Sequence, residues 1–208
     1  MGILRNVQEP AMTPSDERLV EAFQAGDLAA FDLLVLRWER KVQGTVYRVL
    51  GTEEDARDVT QEAFLKAFRS LHGFKGEARF SSWLYQIALN LCRDRLRRKR
   101  GRAFVSLDSV EEDGGLPAQA GLSPYDLAAR GALCELVRGA LAELPDEQRE
   151  VIVLKEYQDL TFAEIAEILD VPLSTVKTRL YRGLVGLRGR LERQGLRGAA
   201  AVPGTAQA

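Results

Sequence analysis

The spacing of apolar residues along the chain of 208 residues is helical almost throughout. Apolar positions recur every three or four residues, whereas the alternating β-branched runs that are typical of strands are nearly absent. Capping residues and glycines mark where each run begins and ends. The pattern predicts an all-α fold whose first helices span about 15–26, 27–50, 52–71 and 80–100.

The helical pattern is interrupted after residue 102. The segment EEDGGLPAQAGLSP, which ends at Pro124, is acidic and rich in glycine, proline and alanine, and helical spacing resumes near Tyr125. Low-complexity composition also predicts disorder at both chain ends. We therefore expect two small helical domains joined by a flexible acidic linker. The predicted boundaries are a disordered arm over 1–14, a first domain over 15–102, a linker over 103–130, a second domain over 131–193 and a disordered tail over 194–208.

Residues 161–188 read as two helical segments separated by a tight break. Thr161 and Glu164 have the spacing of a capping box, which starts the first segment. Residues 170–172 end it, and the proline among them suits the start of the second segment. This is the layout of a helix-turn-helix, although the turn lacks the usual glycine and any helical hairpin gives a similar pattern.

The second of these helices has a divided surface. On an ideal helix its apolar stripe, formed by Val176, Leu180, Leu184 and Leu187, occupies an arc of ~80°. A solvated surface helix would be expected to carry acidic partners for its basic residues, and none occurs over 171–190. We therefore expect the outer face to meet a partner that brings negative charge, such as DNA. The candidate contact residues are Ser174, Thr175, Lys177, Thr178, Arg179, Tyr181 and Arg182.

A second basic site is predicted at the end of the fourth helix. Residues 93–102 contain seven Arg or Lys residues and one Asp, more than a helix C-terminus needs to balance its dipole. Such a run is typical of a surface that neutralises phosphates. The glycine-containing loop over 74–79 and its neighbouring rings favour unstacked single-stranded bases, although rings at helical spacing fit a core equally well. The candidates are Phe74, Lys75, Arg79, Arg93, Arg97, Arg98 and Arg100.

The third helix, within DARDVTQEAFLKAF, carries acidic and amide side chains at helical spacing. An acidic face on a DNA-binding domain repels DNA, so this face is a candidate surface for docking another protein. An ordinary exposed helix face explains the same pattern. The residues concerned are Asp55, Asp58, Gln61 and Glu62, with Phe64 nearby.

Composition narrows the classes of function. The net charge of −1 argues against a uniformly basic nucleic-acid binder, but charge is segregated, since 108–113 holds four acids and no base. Cys92, Cys134 and His72 do not form a metal or disulfide pattern, and Walker or Rossmann glycine patterns are missing. We therefore expect no metal, no cofactor and no enzymatic activity. Without an apolar run of membrane-spanning length or a signal peptide, we expect a cytoplasmic protein with no membrane partner.

Three segments in this order resemble bacterial RNA polymerase sigma factors of the sigma-70 family. They are DARDVTQEAFLKAF, FKGEARFSSWLYQIALNLCRDRLRRKR and LPDEQREVIVLKEYQDLTFAEIAEILDVPLSTVKTRLYRGLVGLR. The resemblance covers about residues 15–193, and the two-domain length is typical of the extracytoplasmic-function (ECF) type. It implies a subunit that directs promoter recognition and DNA melting. The implied partners are core RNA polymerase, through the β′ clamp helices and the β flap, promoter DNA and an anti-sigma factor.

The resemblance also assigns roles to residues. The domain over 15–102 would bind the polymerase clamp and the minus-ten element, and the domain over 131–193 the minus-thirty-five element. The clamp-facing positions would be Asp58, Gln61, Glu62 and Phe64. The loop over 74–80, including Phe80, would capture a flipped base, and Asn90 would lie beside the minus-ten site. Lys177, Thr178, Tyr181 and Arg182 match positions that contact bases and phosphates. The basic run over 93–102 is denser than promoter melting requires in such proteins.

Two other functions fit parts of the pattern. A stand-alone helix-turn-helix regulator would bind duplex DNA tightly by itself, typically as a dimer on a palindrome. An adaptor that binds another protein through its helices would show no dependence on DNA. The absence of acidic residues over 171–190 counts against the adaptor.

Overall fold

The computed structural model describes residues 14–103 and 124–194. Within these ranges the chain is helical and contains no strand, which confirms the predicted all-α class. The predicted arm and tail, and most of the predicted linker, lie outside the described residues. The helices are α1 (Asp16–Gln24), α2 (Ala29–Leu50), α3 (Glu53–Ser70), a 3₁₀-helix (Leu71–Gly73), α4 (Phe80–Ala103), α5 (Pro124–Ala142), α6 (Asp146–Tyr157), α7 (Phe162–Leu169) and α8 (Leu173–Arg193).

Local hydrogen bonds explain where several helices begin and end. The Thr52 hydroxyl accepts a hydrogen bond from the backbone N–H of Asp55 and so caps α3. At α7, Thr161 and Glu164 each accept a hydrogen bond from the other's backbone N–H, which confirms the predicted capping box. Gly51 ends α2 in the left-handed conformation, with φ of +87°.

The N-terminal unit consists of α1–α4. Helix α2 packs against α1, α3 and α4, and its apolar residues meet theirs in one core. Phe23 and Leu34 are fully buried there, as is Leu84 of α4. The ring of Phe23 lies 5.5 Å from that of Phe31 and 5.3 Å from that of Phe68, which joins three helices through aromatic contacts.

The C-terminal unit consists of α5–α8, and α5 begins within the segment predicted as linker. Val176 of α8 is fully buried, and the three leucines of the predicted stripe pack against the core, which confirms the inward face of this helix. Helices α6 and α8 approach closely at Gly183. A Cβ atom on Gly183 would lie 2.8 Å from Cδ1 of Ile152, so only glycine fits without movement.

The two units pack directly on each other. Helix α6 contacts α2, and α7 contacts α4. Val151 and Ile165 of the C-terminal unit belong to the same buried cluster as Cys92 of α4. The Tyr85 hydroxyl donates a hydrogen bond of 2.7 Å to the Gln158 side chain across the junction. The described residues therefore form one packed arrangement in which surfaces of both units are covered.

Candidate nucleic-acid and protein interfaces

The outer face of α8 is polar and open to solvent. Ser174, Lys177, Thr178 and Arg182 are exposed, and Tyr181 is 71% exposed. The Thr178 hydroxyl donates a hydrogen bond to the backbone carbonyl of Ser174, one turn back. This bond fixes the orientation of the Thr178 side chain on the helix surface. The structure thus presents hydroxyls, cations and one ring on the N-terminal half of the helix, where a helix-turn-helix contacts base edges.

The turn before α8 is made without glycine. Asp170 takes the left-handed conformation, with φ of 53°, and its backbone N–H bonds to carbonyls at the end of α7. Asp tolerates this conformation better than most residues with a side chain, so it can replace the usual glycine. Pro172 then precedes α8 as its N-cap.

The cations of α8 differ in what they contact. Arg179 is only partly exposed and forms an ion pair of 2.8 Å with Glu147 of α6. The Lys177 ammonium lies 5.9 Å from the centre of the Phe162 ring. Over the described ranges, no carboxylate lies within ion-pair distance of Lys177 or Arg182. These two residues are therefore the cations best placed to bind phosphates or bases.

The loop over 74–79 is held by a residue that the sequence pattern did not reveal. The Gln24 side-chain amide donates hydrogen bonds of 2.9 Å and 2.8 Å to the backbone carbonyls of Leu71 and Phe74. The Phe74 ring packs 5.0 Å from the Trp83 ring, and Gly76 turns the chain with φ of +73°. No local signal links Gln24 to a loop about fifty positions away.

Only part of the predicted minus-ten set lies at the surface of the loop and of α4. Lys75 and Arg79 are exposed, as is Asn90, whose side-chain oxygen accepts a hydrogen bond from Arg93. Phe80 is 1% exposed and packs in the core beneath the loop. Its burial corrects the placement of this ring among the DNA contacts, because it supports the loop and cannot touch a partner in this conformation.

The basic end of α4 is largely paired with carboxylates of the chain itself. Arg95 contacts Asp55 at 2.7 Å, and Lys99 contacts the same carboxylate. Arg97 pairs with Asp94, one turn back on α4. Arg93 and Arg100 pair with Glu150 and Asp146 of the C-terminal unit, with closest distances of 2.7 Å and 2.8 Å. Arg98 is exposed and forms no ion pair with any described residue.

Asp55 belongs to the core of the N-terminal unit, which corrects its predicted place on a docking face. It is 4% exposed and accepts hydrogen bonds from Thr52, Arg95 and Lys99. Burial alone would raise the pKa of this carboxyl, but the hydrogen bonds from Lys99, Thr52 and Arg95 outweigh it and lower the pKa to about 2. Asp55 therefore ties α3 to the basic end of α4.

The exposed face of α3 contains only three of the five predicted residues, and it also contains an exposed leucine that was not predicted. Asp58, Gln61 and Glu62 are exposed, whereas Phe64 is 7% exposed and packs against Phe31, so its predicted surface role is wrong for this conformation. Leu65 is 57% exposed, one turn beyond Gln61. An exposed leucine beside polar side chains gives this face apolar area at its centre and polar groups around it, as in a protein interface with a polar rim.

The described residues were also considered for metal-binding groups and reactive thiols. There, no group of three or more His, Cys, Asp or Glu side chains could hold a metal ion. Cys92 is buried and Cys134 half-buried, and both are free thiols. Burial raises the pKa of the Cys92 thiol.

None of the helices over 14–103 and 124–194 has both the length and the apolar character to cross a bilayer.

Comparison with known families matches both units. Residues 34–102 match sigma-70 region 2, and residues 134–186 match sigma-70 region 4. The chain belongs to the sigma-70 family of RNA polymerase sigma factors and, within it, to the ECF type. The N-terminal unit is therefore region 2 and the C-terminal unit region 4.

Several characterised proteins are similar over most of their length. The RNA polymerase sigma-H factor of Pseudomonas aeruginosa is 36% identical over 172 residues, which cover 80% of this chain and 89% of that protein. The ECF sigma factor SigW of Bacillus subtilis is 35% identical over 179 residues, covering 84% and 96%. The ECF sigma-E factor of Escherichia coli K12 is 36% identical over 183 residues, covering 86% and 95%.

Solved structures share the fold. CnrH in complex with the cytosolic domain of CnrY superposes with a TM-score of 0.63 at 26% identity, covering 86% of this chain and 99% of CnrH. RpoE of Bartonella quintana in complex with the anti-sigma factor NepR gives a TM-score of 0.62 at 24% identity, covering 78% and 96%. At 24% identity, the comparison with RpoE shows a shared fold and nothing more.

Proposed function

We propose that the protein is a dissociable specificity subunit of RNA polymerase that directs promoter recognition and DNA melting at the start of transcription. One observation carries the proposal most directly. The N-terminal half of α8, in the unit matched to sigma-70 region 4, exposes Lys177, Tyr181 and Arg182 on a face without acidic cover among the described residues. A helix of this kind after a tight turn fits the major groove of duplex DNA.

Region 4 would recognise the minus-thirty-five element. Ser174, Lys177, Thr178, Tyr181 and Arg182 have the exposure that base and phosphate contacts require. Thr175 and Arg179 lie at the edge of this face, where they are partly covered. We therefore assign direct readout to the exposed residues and a supporting contact to the other two.

Region 2 would bind the minus-ten element as separated strands. Lys75 and Arg79 are exposed in the loop, whose Phe74 ring lies 5.0 Å from the Trp83 ring of α4, and Asn90 is exposed further along α4. Taking a base out of the stack costs about a few kcal/mol, and a pocket that holds the flipped base offsets this cost. Melting would thus be driven by capture of unstacked bases, with no covalent step performed by this chain.

Assembly with core polymerase would use the exposed face of α3. Asp58, Gln61 and Glu62 supply hydrogen-bonding groups, and Leu65 supplies apolar area. We assign the β′ clamp helices to this face and the β flap to region 4. Work as a polymerase subunit also places the protein in the cytoplasm.

An anti-sigma factor is a further proposed partner. RpoE of Bartonella quintana has been solved with the anti-sigma factor NepR, and that chain shares the fold of this one. The stand-alone regulator is not favoured, because the family matches cover both units and not the helix-turn-helix alone.

Transcription in vitro tests the proposed function. Purified core polymerase, with and without the protein, would be given a promoter library, and the start sites would be mapped. We expect initiation at a defined set of sites only when the protein is present, with two shared sequence elements upstream of each start. Unchanged start sites in its presence would contradict the proposal. Tight, core-independent binding to a palindromic duplex would favour the stand-alone regulator.

A further inference from the structure

The side-chain amide of Gln24 joins the end of α1 to the start of the loop over 74–79. Gln24 is the last residue of α1, and its amide nitrogen donates hydrogen bonds of 2.9 Å and 2.8 Å to the backbone carbonyls of Leu71 and Phe74. An amide nitrogen carries two hydrogens, so both donors of this group are used within the chain. The amide is therefore committed to the loop and has no donor left for a partner.

The two acceptors lie where the loop begins. Leu71 is fully buried, and its carbonyl also accepts a hydrogen bond of 3.1 Å from the backbone N–H of Phe74. The chain passes there from the 3₁₀-helix to the extended conformation of Phe74, with φ of −71° and ψ of 120°. A donor group that binds both carbonyls fixes the direction in which the chain leaves the 3₁₀-helix.

The end of α1 is itself fixed by packing. Phe23, next to Gln24, is fully buried, and its ring lies 4.7 Å from the His72 ring of the 3₁₀-helix. The backbone N–H groups of Ala25 and Gly26 each donate a hydrogen bond of 2.9 Å to a carbonyl of α1, which closes the helix. Gln24 therefore presents its amide from a backbone that is held in place, as a positioning group requires.

The loop has few other polar ties. Over 14–103 and 124–194, no other side chain donates a hydrogen bond to the backbone of 74–78. Lys75 and Arg79, the exposed cations of the proposed minus-ten site, follow directly on the carbonyls that Gln24 binds. The Gln24 amide is thus the polar restraint that orients the start of the loop and the cations beyond it.

A restrained loop matters for the proposed function. The minus-ten element would be bound as unstacked bases, and a pocket must keep its shape to favour one base over another. When the conformation that binds is populated for only part of the time, the apparent affinity falls by that fraction. Hydrogen bonds that populate one loop conformation therefore strengthen binding without touching the ligand.

We propose that Gln24 is a positioning residue for minus-ten recognition, whose amide holds the loop over 74–79 in the conformation that receives an unstacked base. The proposal rests on the proposed function. Removal of the amide should change recognition of the minus-ten element alone. Binding of core polymerase through α3 and recognition of the minus-thirty-five element through α8 should be unchanged, because both surfaces lie outside the loop.

The first measurement uses the free full chain with Gln24→Met, which keeps the length of the side chain and its suitability for a helix but removes both donors. Glu21→Met is the matched control, since Glu21 is exposed one turn earlier on α1 and forms no ion pair with any described residue. Amide hydrogen exchange of Phe74, resolved by NMR, reports the restraint on the loop. We expect exchange to be about fivefold or more faster in Gln24→Met and unchanged in Glu21→Met, because only the first variant loses two hydrogen bonds.

The second measurement uses the holoenzyme. A promoter at which the wild-type protein directs initiation is given random bases over its minus-ten element, and the sequences that initiate are counted for each variant. For Gln24→Met we expect the preference for the best base to fall by about fivefold or more in at least one position. A library with random bases over the minus-thirty-five element should give the same preferences for the wild type and both variants.

Equal exchange of Phe74 in the wild type and Gln24→Met would overturn the proposal, and a changed base preference with that result would mean that Gln24 touches DNA itself. Faster exchange with an unchanged minus-ten preference would also overturn it. If Gln24→Met loses its helical circular dichroism, Gln24→Glu, which replaces the two donors with an acceptor, takes its place with the same expectations. Failure of the wild type to direct initiation at any promoter would contradict the proposed function, whereas the exchange measurement tests the restraint on the loop by itself.

Discussion

Gly183 of α8 faces Ile152 of α6 at a distance that excludes a side chain, since an added Cβ would lie 2.8 Å from Ile152 Cδ1 and 3.2 Å from Gln148 Cβ. This contact sets the separation of α6 from α8, the helix that carries the proposed base-reading face. Ile152 is 2% exposed, so it has little space in which to move. The packing of α8 on α6 in region 4 therefore requires glycine, which has no Cβ, at position 183.

Replacing Gly183 with Ala should destabilise the protein. Overpacking in a core costs ~1–3 kcal/mol, which exceeds the ~1 kcal/mol that Ala gains over Gly in a helix. Gly189→Ala is the matched control on the same helix, because its Cβ would approach nothing closer than 3.9 Å. Thermal unfolding followed by circular dichroism should give a lower midpoint for Gly183→Ala and a higher one for Gly189→Ala. Equal shifts in the two variants would contradict the packing argument.

Asp55 should make stability depend on pH in the acid range. Its pKa is about 2 in the folded chain against 3.8 ordinarily, so the unfolded chain binds more protons between these values. The contribution, about 2 kcal/mol, is complete above pH ~4 and is lost as the pH falls towards ~2.

Urea unfolding at several pH values measures this effect. The wild type should lose stability between pH ~4 and ~2 more steeply than Asp55→Asn, which lacks the titrating group. Glu62→Gln serves as the control, since Glu62 is an exposed acid on the same helix. Identical acid profiles for wild type and Asp55→Asn would show that this carboxyl does not couple α3 to α4.

Arg182 should be needed for promoter binding but not for folding. Its side chain is exposed on the outer face of α8, and removal of such a contact typically costs ~1–3 kcal/mol of binding. Arg188→Ala is the control, because Arg188 is exposed further along the helix and pairs with Glu192. Holoenzyme binding to a promoter should weaken about tenfold or more for Arg182→Ala, with an unchanged circular dichroism spectrum. Full activity of Arg182→Ala would tell against α8 as the reading helix.

The exposed face of α3 should be needed for binding core polymerase. Exchange of both Asp58 and Gln61 for Ala removes two polar contacts from the centre of this face and should weaken core affinity by about tenfold or more. Glu17→Ala, an exposed acid on α1, is the control for charge. Co-purification with core polymerase at increasing dilution measures the effect. Recovery equal to that of the wild type would remove α3 from the proposed assembly.

Features that depend on neighbours in sequence could be predicted. The capping box of Thr161 and Glu164 spans three positions, and the inward stripe of α8 follows from helical periodicity alone. The same periodicity predicts that Tyr181 and Arg182 point outward and that Lys177 lies on the flank, and the structure exposes all three. The resemblance to sigma factors added the roles of these residues, which periodicity does not supply.

Features that depend on distant partners could not be predicted. Asp55 has the helical spacing of a surface acid, yet Arg95 and Lys99 approach it from α4 and bury it. The basic run over 93–102 predicts a phosphate site when it is read alone. Several of its carboxylate partners lie far away in sequence, as Glu150 lies 57 positions from Arg93. Charge pattern within a window cannot reveal such pairs.

The two hydrogen bonds from the Gln24 amide hold the loop over 74–79 against α1, so the conformation of this loop depends on the first helix as well as on the fourth. An exchange at this one position would reshape the loop while every side chain of the proposed minus-ten site stayed the same. On the proposed function, promoter preference would then depend on a residue of α1 that lies outside the set proposed to contact DNA, and variation at position 24 would change specificity indirectly.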